Sequence, residues 1–129
     1  MNISIGPGEA YDRLTILEIK LKRISDPEKL KNVDRELTSL SASILNYCAR
    51  TNQAPPPELV DSLRFVNERL WKVEDELRQL ESEKAFGDYF VKLARQVYYL
   101  NDERAELKKE INLKMNSEFV EEKSYKPYK

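Results

Sequence analysis

FGDYFVKLARQVYYLNDERAELKKEINLKM, residues 86–115, decides the fold. Phe86, Phe90, Leu93, Val97, Leu100, Arg104, Leu107 and Ile111 recur in steps of four and three. That spacing draws one stripe down a long helix, the seam pattern of coiled-coil-like packing. Every position in the stripe is apolar except Arg104, and Asn101 lies one turn before it. A buried guanidinium without acceptors costs several kcal/mol, so the position predicts a carboxylate, an amide or a bound anion beside it. Glu18, Asn67, Glu74 and Asp75 are the expected partners. A leucine at 104 should suit the seam.

Upstream, Leu59, Leu63, Val66, Leu70, Val73, Leu77 and Leu80 form the cleanest seam in the chain. It predicts a helix from about Glu58 to Glu83, with a connector from Lys84 to Asp88 that includes Gly87. Before it, Thr51-Asn52-Gln53-Ala54-Pro55-Pro56-Pro57 ends a helix that carries Leu30, Val33, Leu37, Leu40, Ile44 and Tyr47. Ser25-Asp26-Pro27-Glu28 is the start signal of that helix: a capping side chain, then proline at the first helical position. The first helix is expected from about Glu9 to Ile24, after an extended lead (residues 1–8) that ends in the turn Gly6-Pro7-Gly8. Its stripe is Ala10, Leu14, Leu17, Leu21 and Ile24. Ile16 and Ile19 fall on nearly the opposite side, so the helix is either covered by two neighbours or forms an interface.

Short connections imply antiparallel neighbours. The expected fold is a single all-α domain over residues 1–129, an antiparallel four-helix bundle with long coiled-coil-like helices and short extended termini. The first helix is shorter than the others, so part of the bundle should project beyond it. Apolar surface on that projection, with Ile16 and Ile19, leads to the expectation of a homo-oligomer, most simply a dimer. Ile3 and Ile5 are expected to pack on Phe119 and Val120 of the tail 116–129, and its end, residues 123–129, to fray.

Composition removes several classes of function. The chain has 22 basic and 23 acidic residues in 129, a near-cancellation that argues against a nucleic-acid-binding domain. It has no histidine, the commonest general base and transition-metal ligand. One-turn carboxylate pairs such as Glu9/Asp12 and Glu103/Glu106 are expected by chance among so many acids, so no metal site or cofactor is expected. Cys48 cannot form an intrachain disulfide and reads as a small core residue. No run of about 18 apolar residues exists and the N-terminus is not a signal peptide, so the protein is expected to be cytoplasmic, away from membranes.

Counting levels along antiparallel helices gathers Asp12, Arg13, Glu18, Arg69, Trp71, Asp75, Asn101, Asp102 and Arg104 as one candidate ligand-binding constellation. Arg104 falls level with Asn67, Asp12 with Arg69 and Lys72, and Glu18 with Asp75. Two readings follow. One is a polar layer that sets register. The other is a pocket in which arginine forks hold a phosphate or carboxylate and Trp71 stacks on a ring.

Pro7-Gly8-Glu9, the run Asp12-Arg13-Leu14-Thr15-Ile16-Leu17-Glu18-Ile19-Lys20, Leu70-Trp71 with Glu74-Asp75, Asn101-Asp102-Glu103-Arg104-Ala105 with Lys108 and Ile111-Asn112, and Glu121-Glu122-Lys123-Ser124-Tyr125 carry a resemblance. Together they resemble a family of uncharacterised bacterial and phage proteins catalogued as a domain of unknown function. The resemblance implies a small helical domain, sometimes attached to glycosyltransferase-like or repeat proteins in surface-polysaccharide settings. It implies no catalytic residue. The function expected is a non-enzymatic interaction or assembly module that meets a protein partner. The alternative is a protein that binds an anionic small molecule, such as a nucleotide or sugar nucleotide, around Arg104.

Overall fold

The computed structural model describes residues 1–117 together with Pro127 and Tyr128. Among them are four α-helices and no strand: α1 (Pro7–Arg23), α2 (Pro27–Thr51), α3 (Pro57–Ser82) and α4 (Asp88–Lys114). α1 starts two residues before the expected Glu9 because Pro7 takes a first-turn position, where its missing N–H would have no helical partner anyway. Lys20, Lys22 and Arg23 fill its last turn, at the negative end of the helix dipole. The Asp26 carboxylate caps α2 by accepting the Glu28 backbone N–H at 2.9 Å. α2 runs on through Thr51 and closes at Asn52, whose φ of 53° is the left-handed C-terminal conformation that asparagine tolerates. After α3 it is Lys84 that turns left-handed, with φ 55°, whereas Gly87 is extended at the start of α4.

α1 is the hub of the bundle. It packs against α2, α3 and α4, while α3 and α4 pack along each other and the α2 backbone approaches only α1. This explains the two apolar sides of α1. Leu17 and Ile19 are both buried inside one chain, and Ile16 is half-buried. Covering by neighbouring helices therefore accounts for a pattern that also suited an interface.

Two apolar cores result. The first is built on Tyr11, Val60, Leu63, Ile111 and Met115, with Leu14, Ile44, Tyr47 and Cys48 packed around them, so all four helical segments contribute. Cys48 sits there as a half-buried residue, its Sγ 3.8 Å from the Tyr11 hydroxyl. Burial, with that contact, pushes the Tyr11 phenol above its ordinary range. The second core is Val66, Leu70, Val73, Leu93 and Leu100, flanked by Leu77, Leu80 and Val97. It draws on α3 and α4 alone. The end of α1 is tied at the level of Glu68 by Arg23 (2.9 Å), and beyond this level α3 and α4 continue as a two-helix hairpin.

Ile3 and Ile5 are exposed and in no strand. Their expected partners Phe119 and Val120 lie outside the described residues. Among the described residues, no helix is long and apolar enough to cross a membrane.

Candidate functional site

The site begins with a close approach of two backbones. Gly8, in the first turn of α1, lies against α4: a Cβ at this position would stand 2.3 Å from the Lys108 carbonyl oxygen and 2.9 Å from its carbon. Only glycine lets the helices meet so closely. Its N–H donates to Asn112 Oδ1 at 2.8 Å. This contact sets the register of α1 on α4. One turn later Asp12 faces Arg104, and after a further step of three Thr15 follows on the same stripe.

Arg104 grips Asp12 with two prongs, Nε to Oδ1 at 2.8 Å and Nη2 to Oδ2 at 2.5 Å. Asn67 of α3 adds a third donor, its Nδ2 lying 3.0 Å from Asp12 Oδ1 and 2.9 Å from Thr15 Oγ1. The Thr15 hydroxyl in turn donates to the Asp12 backbone carbonyl at 2.9 Å. Three helices are thereby joined through one carboxylate. A second layer lies toward the start of α1, where Glu9 accepts from Lys108 at 2.7 Å and from Arg13 at 3.1 Å. Among the described residues, no buried side-chain nitrogen or oxygen lacks a hydrogen-bond partner.

The expected burial is reversed within the pair. The Asp12 side chain is 1% exposed and that of Arg104 is 31% exposed. The acid is sealed, and the arginine side chain is only partly buried. Burial on its own would raise the Asp12 pKa, but the hydrogen bonds from Arg104 and Asn67 and the positive charge of Arg104 outweigh it and hold the carboxyl below its ordinary value. Glu9 is lowered in the same way: burial opposes, and the bonds from Lys108 and Arg13 prevail. A general base needs an available lone pair and a pKa near the working pH. Asp12 has neither.

The structure brings Asp12 and Arg104 together and disperses the rest of the expected constellation. Arg13 is exposed and bonded to Glu9. Glu18 meets Arg64 at 3.2 Å, not the level of Asp75. Arg69, Asp75 and Asn101 are exposed, and Trp71 is half-buried on α3. Asp102 hydrogen-bonds Tyr128. The carboxylate that Arg104 meets is Asp12 of α1, not the expected Glu18, Glu74 or Asp75, and Asn67, the expected amide, donates to that same carboxylate. The level estimate across α3 and α4 was sound, since Asn67 and Arg104 meet at one acid. The estimate for α1 placed Asp12 opposite Arg69 and Lys72 instead of Asn67, because errors at two intervening connections add. Lys108 and Asn112 were not in the constellation. Their signal was the spacing Arg104, Lys108, Asn112, a polar line one helical turn per step beside the seam.

Among the described residues, three of the surface clefts lie elsewhere. One of about 560 Å³ runs between α3 and α4 past Phe65, Glu103 and Leu107. Another of about 550 Å³ lies between the N-terminal lead and α2, reaching Arg50. A third of about 340 Å³ borders Arg95 and Tyr99. None of the three is lined by Arg13, Arg69 or Arg104. Among the described residues, no group of three or more histidine, cysteine, aspartate or glutamate side chains is placed to hold a metal ion.

A small all-α bundle, tied at one level by a buried carboxylate and a bidentate arginine, is the class of protein that these features define. Over residues 1–128 the chain matches a family of unknown function (DUF6165), and it belongs to that family. The resemblance read from the sequence motifs is thus borne out as a domain of unknown function. Comparison with curated proteins returned no match, and comparison with solved structures returned none either.

Proposed function

We propose that this chain is a non-enzymatic helical assembly module, which uses the bundle as a base and presents the α3–α4 pair as a coiled-coil-like arm to a second copy or a protein partner. The observation that carries this reading is the state of Arg104. Its fork is engaged by Asp12 within the chain, and none of the three clefts is lined by it. The outward surface supports the reading from the other side. Phe86, Tyr89, Val91 and Tyr98 are exposed on α4 and in the turn that precedes it. Apolar groups of that size on an arm are contact material.

The rival reading, an anion bound at Arg104, has one favourable observation: the partial exposure of the Arg104 side chain. A thermal-shift screen against nucleotides, sugar nucleotides and acidic metabolites separates the two. The module reading expects no stabilisation. A ligand at a hundred times its dissociation constant would add about 2.7 kcal/mol, and its loss on Arg104 substitution would establish the rival. Light scattering at micromolar concentration tests self-assembly directly. A dimer supports the second copy as partner, and a monomer of 15.2 kDa leaves only a different protein in that role.

A further inference from the structure

α3 and α4 form a groove to which the other two helices contribute nothing. Asp61, Ser62, Phe65 and Val66 line it from α3, and Glu103, Glu106 and Leu107 from α4; among the described residues, none of α1 or α2 does. Val66 is buried and Leu107 half-buried, so they make an apolar floor, whereas Phe65 is 66% exposed. An exposed ring beside an apolar floor, between two packed helices, is the shape that receives the apolar stripe of a further helix.

Charge selects the occupant. The groove is lined by three carboxylates and, among the described residues, by no lysine or arginine, in a chain whose 22 basic and 23 acidic residues nearly cancel. Asp61 is bonded to Arg64 at 2.7 Å. Glu103 and Glu106 are exposed, and among the described residues neither takes part in a salt bridge, not even with Lys109 three residues after Glu106. Glu110 follows Glu106 by four, so three like charges stand one turn apart along α4. Like charges at that spacing repel, and an incoming cation relieves them. A guanidinium suits the place best, because it pairs with carboxylates through its fork and stacks on an aromatic face.

We propose that this groove docks a basic amphipathic helix of a partner protein, with apolar residues against Phe65, Val66 and Leu107 and arginines against Glu103 and Glu106. This rests on the assembly-module reading and names the chemistry of its partner.

The test is an NMR titration of the full-length chain with two capped helical peptides of about fifteen residues, or four turns. Both carry leucines in steps of three and four. One has arginines flanking the leucines, and its twin has glutamates in their place. The arginine peptide should bind saturably, with amide shifts concentrated at residues 61–66 and 103–107, and binding should weaken with added salt. The glutamate twin should not bind. Glu103→Gln combined with Glu106→Gln removes two exposed charges that hold nothing in the fold, as unchanged amides elsewhere would verify. It should weaken the arginine peptide about tenfold, the effect of two exposed ion pairs lost together. Phe65→Ser should weaken it severalfold. Absence of saturable binding, equal binding of both peptides, shifts that map elsewhere, or full affinity in the doubly neutralised variant would each overturn the proposal. Shifts at the same amides on raising the protein concentration alone would give the groove to a second copy and overturn it too. The light-scattering and thermal-shift results belong to the module reading alone, so the two ideas fail separately.

Discussion

The base of the molecule and its projecting hairpin use the same two helices and are held in different ways. At the base, α3 and α4 meet α1 through a guanidinium, a carboxylate, an amide and a hydroxyl, linked in that order by hydrogen bonds. In the hairpin the same pair meets through Leu70, Val73, Leu93 and Leu100. Apolar packing is non-directional and roughly proportional to area, so it tolerates small slips. A buried carboxylate is intolerant, because any slip leaves its charge without donors. The base therefore fixes register and the hairpin supplies length. A rigid base with a more local, independently opening arm is the arrangement this difference predicts.

The largest effect should come from stranding the buried acid. Arg104→Ala leaves Asp12 sealed without its main partner and should cost about 3–5 kcal/mol in urea denaturation. The sequence suggested that leucine would suit position 104. With Asp12 facing it, Arg104→Leu should be nearly as damaging as alanine, and only the pair Asp12→Leu with Arg104→Leu should return most of the stability. A loss below about 1 kcal/mol for Arg104→Ala would mean that water takes over the acid, and the contrast between the regions would fall.

In the hairpin, Leu93→Ala removes a buried side chain and should cost about 2–4 kcal/mol. Its signature should be local. Hydrogen exchange should quicken in residues 73–97 well before it does at Ile111 or Leu63. Uniform acceleration across both regions would show that the arm and base unfold as one unit.

Gly8→Ala forces a methyl group onto the Lys108 carbonyl and should cost about 1–3 kcal/mol, with the first turn of α1 lifting from α4. Denaturant midpoints measure the cost, and loss of the Asn112 side-chain amide shift marks the lifting.

Acid should then separate the regions. The folded pKa values of Asp12 and Glu9 lie below their ordinary ones, so their contribution is fully present above the ordinary carboxylate range. It is lost as pH falls through the lowered folded values. Exchange measured at pH 6 and pH 3 should show the Gly8–Thr15 and Arg104–Asn112 amides losing protection more than the hairpin core, which contains no carboxylate. Equal losses would break the comparison. The smallest effect belongs to Arg13→Ala, an exposed partner of Glu9, which should shift stability by no more than about 0.5 kcal/mol.

Helix number, type and approximate ends were legible because apolar spacing and proline punctuation are local signals. The seams Leu59 to Leu80 and Phe90 to Ile111 each required one helix, Pro27 marked the start of α2, and Pro55-Pro56-Pro57 marked its end. The candidate site was legible in part. Arg104 stood out because a charge interrupts an apolar seam, and Asp12 and Asn67 were both among the residues gathered near it. Asp12 was not singled out as its partner, because acids near the start of a helix are ordinary, and Lys108 carried no signal one residue at a time. Their meeting depends on how α1 lies on α3 and α4, which local spacing does not encode.

The sequence by itself determined four helices, the long α3–α4 pair and the demand that Arg104 find acceptors, since periodicity and the cost of burying charge act through neighbours along one chain. Tertiary structure decided which acceptor it finds. The 2.3 Å that separates a Gly8 methyl from the Lys108 carbonyl allows only glycine there, and that close approach sets α1 at the height where Asp12 meets Arg104 and Asn67. It also decided that the two apolar sides of α1 are covered within one molecule, because three helices surround it, and that Tyr128 returns to Tyr99 and Asp102. These are contacts between residues distant in sequence, and their register follows from packing geometry.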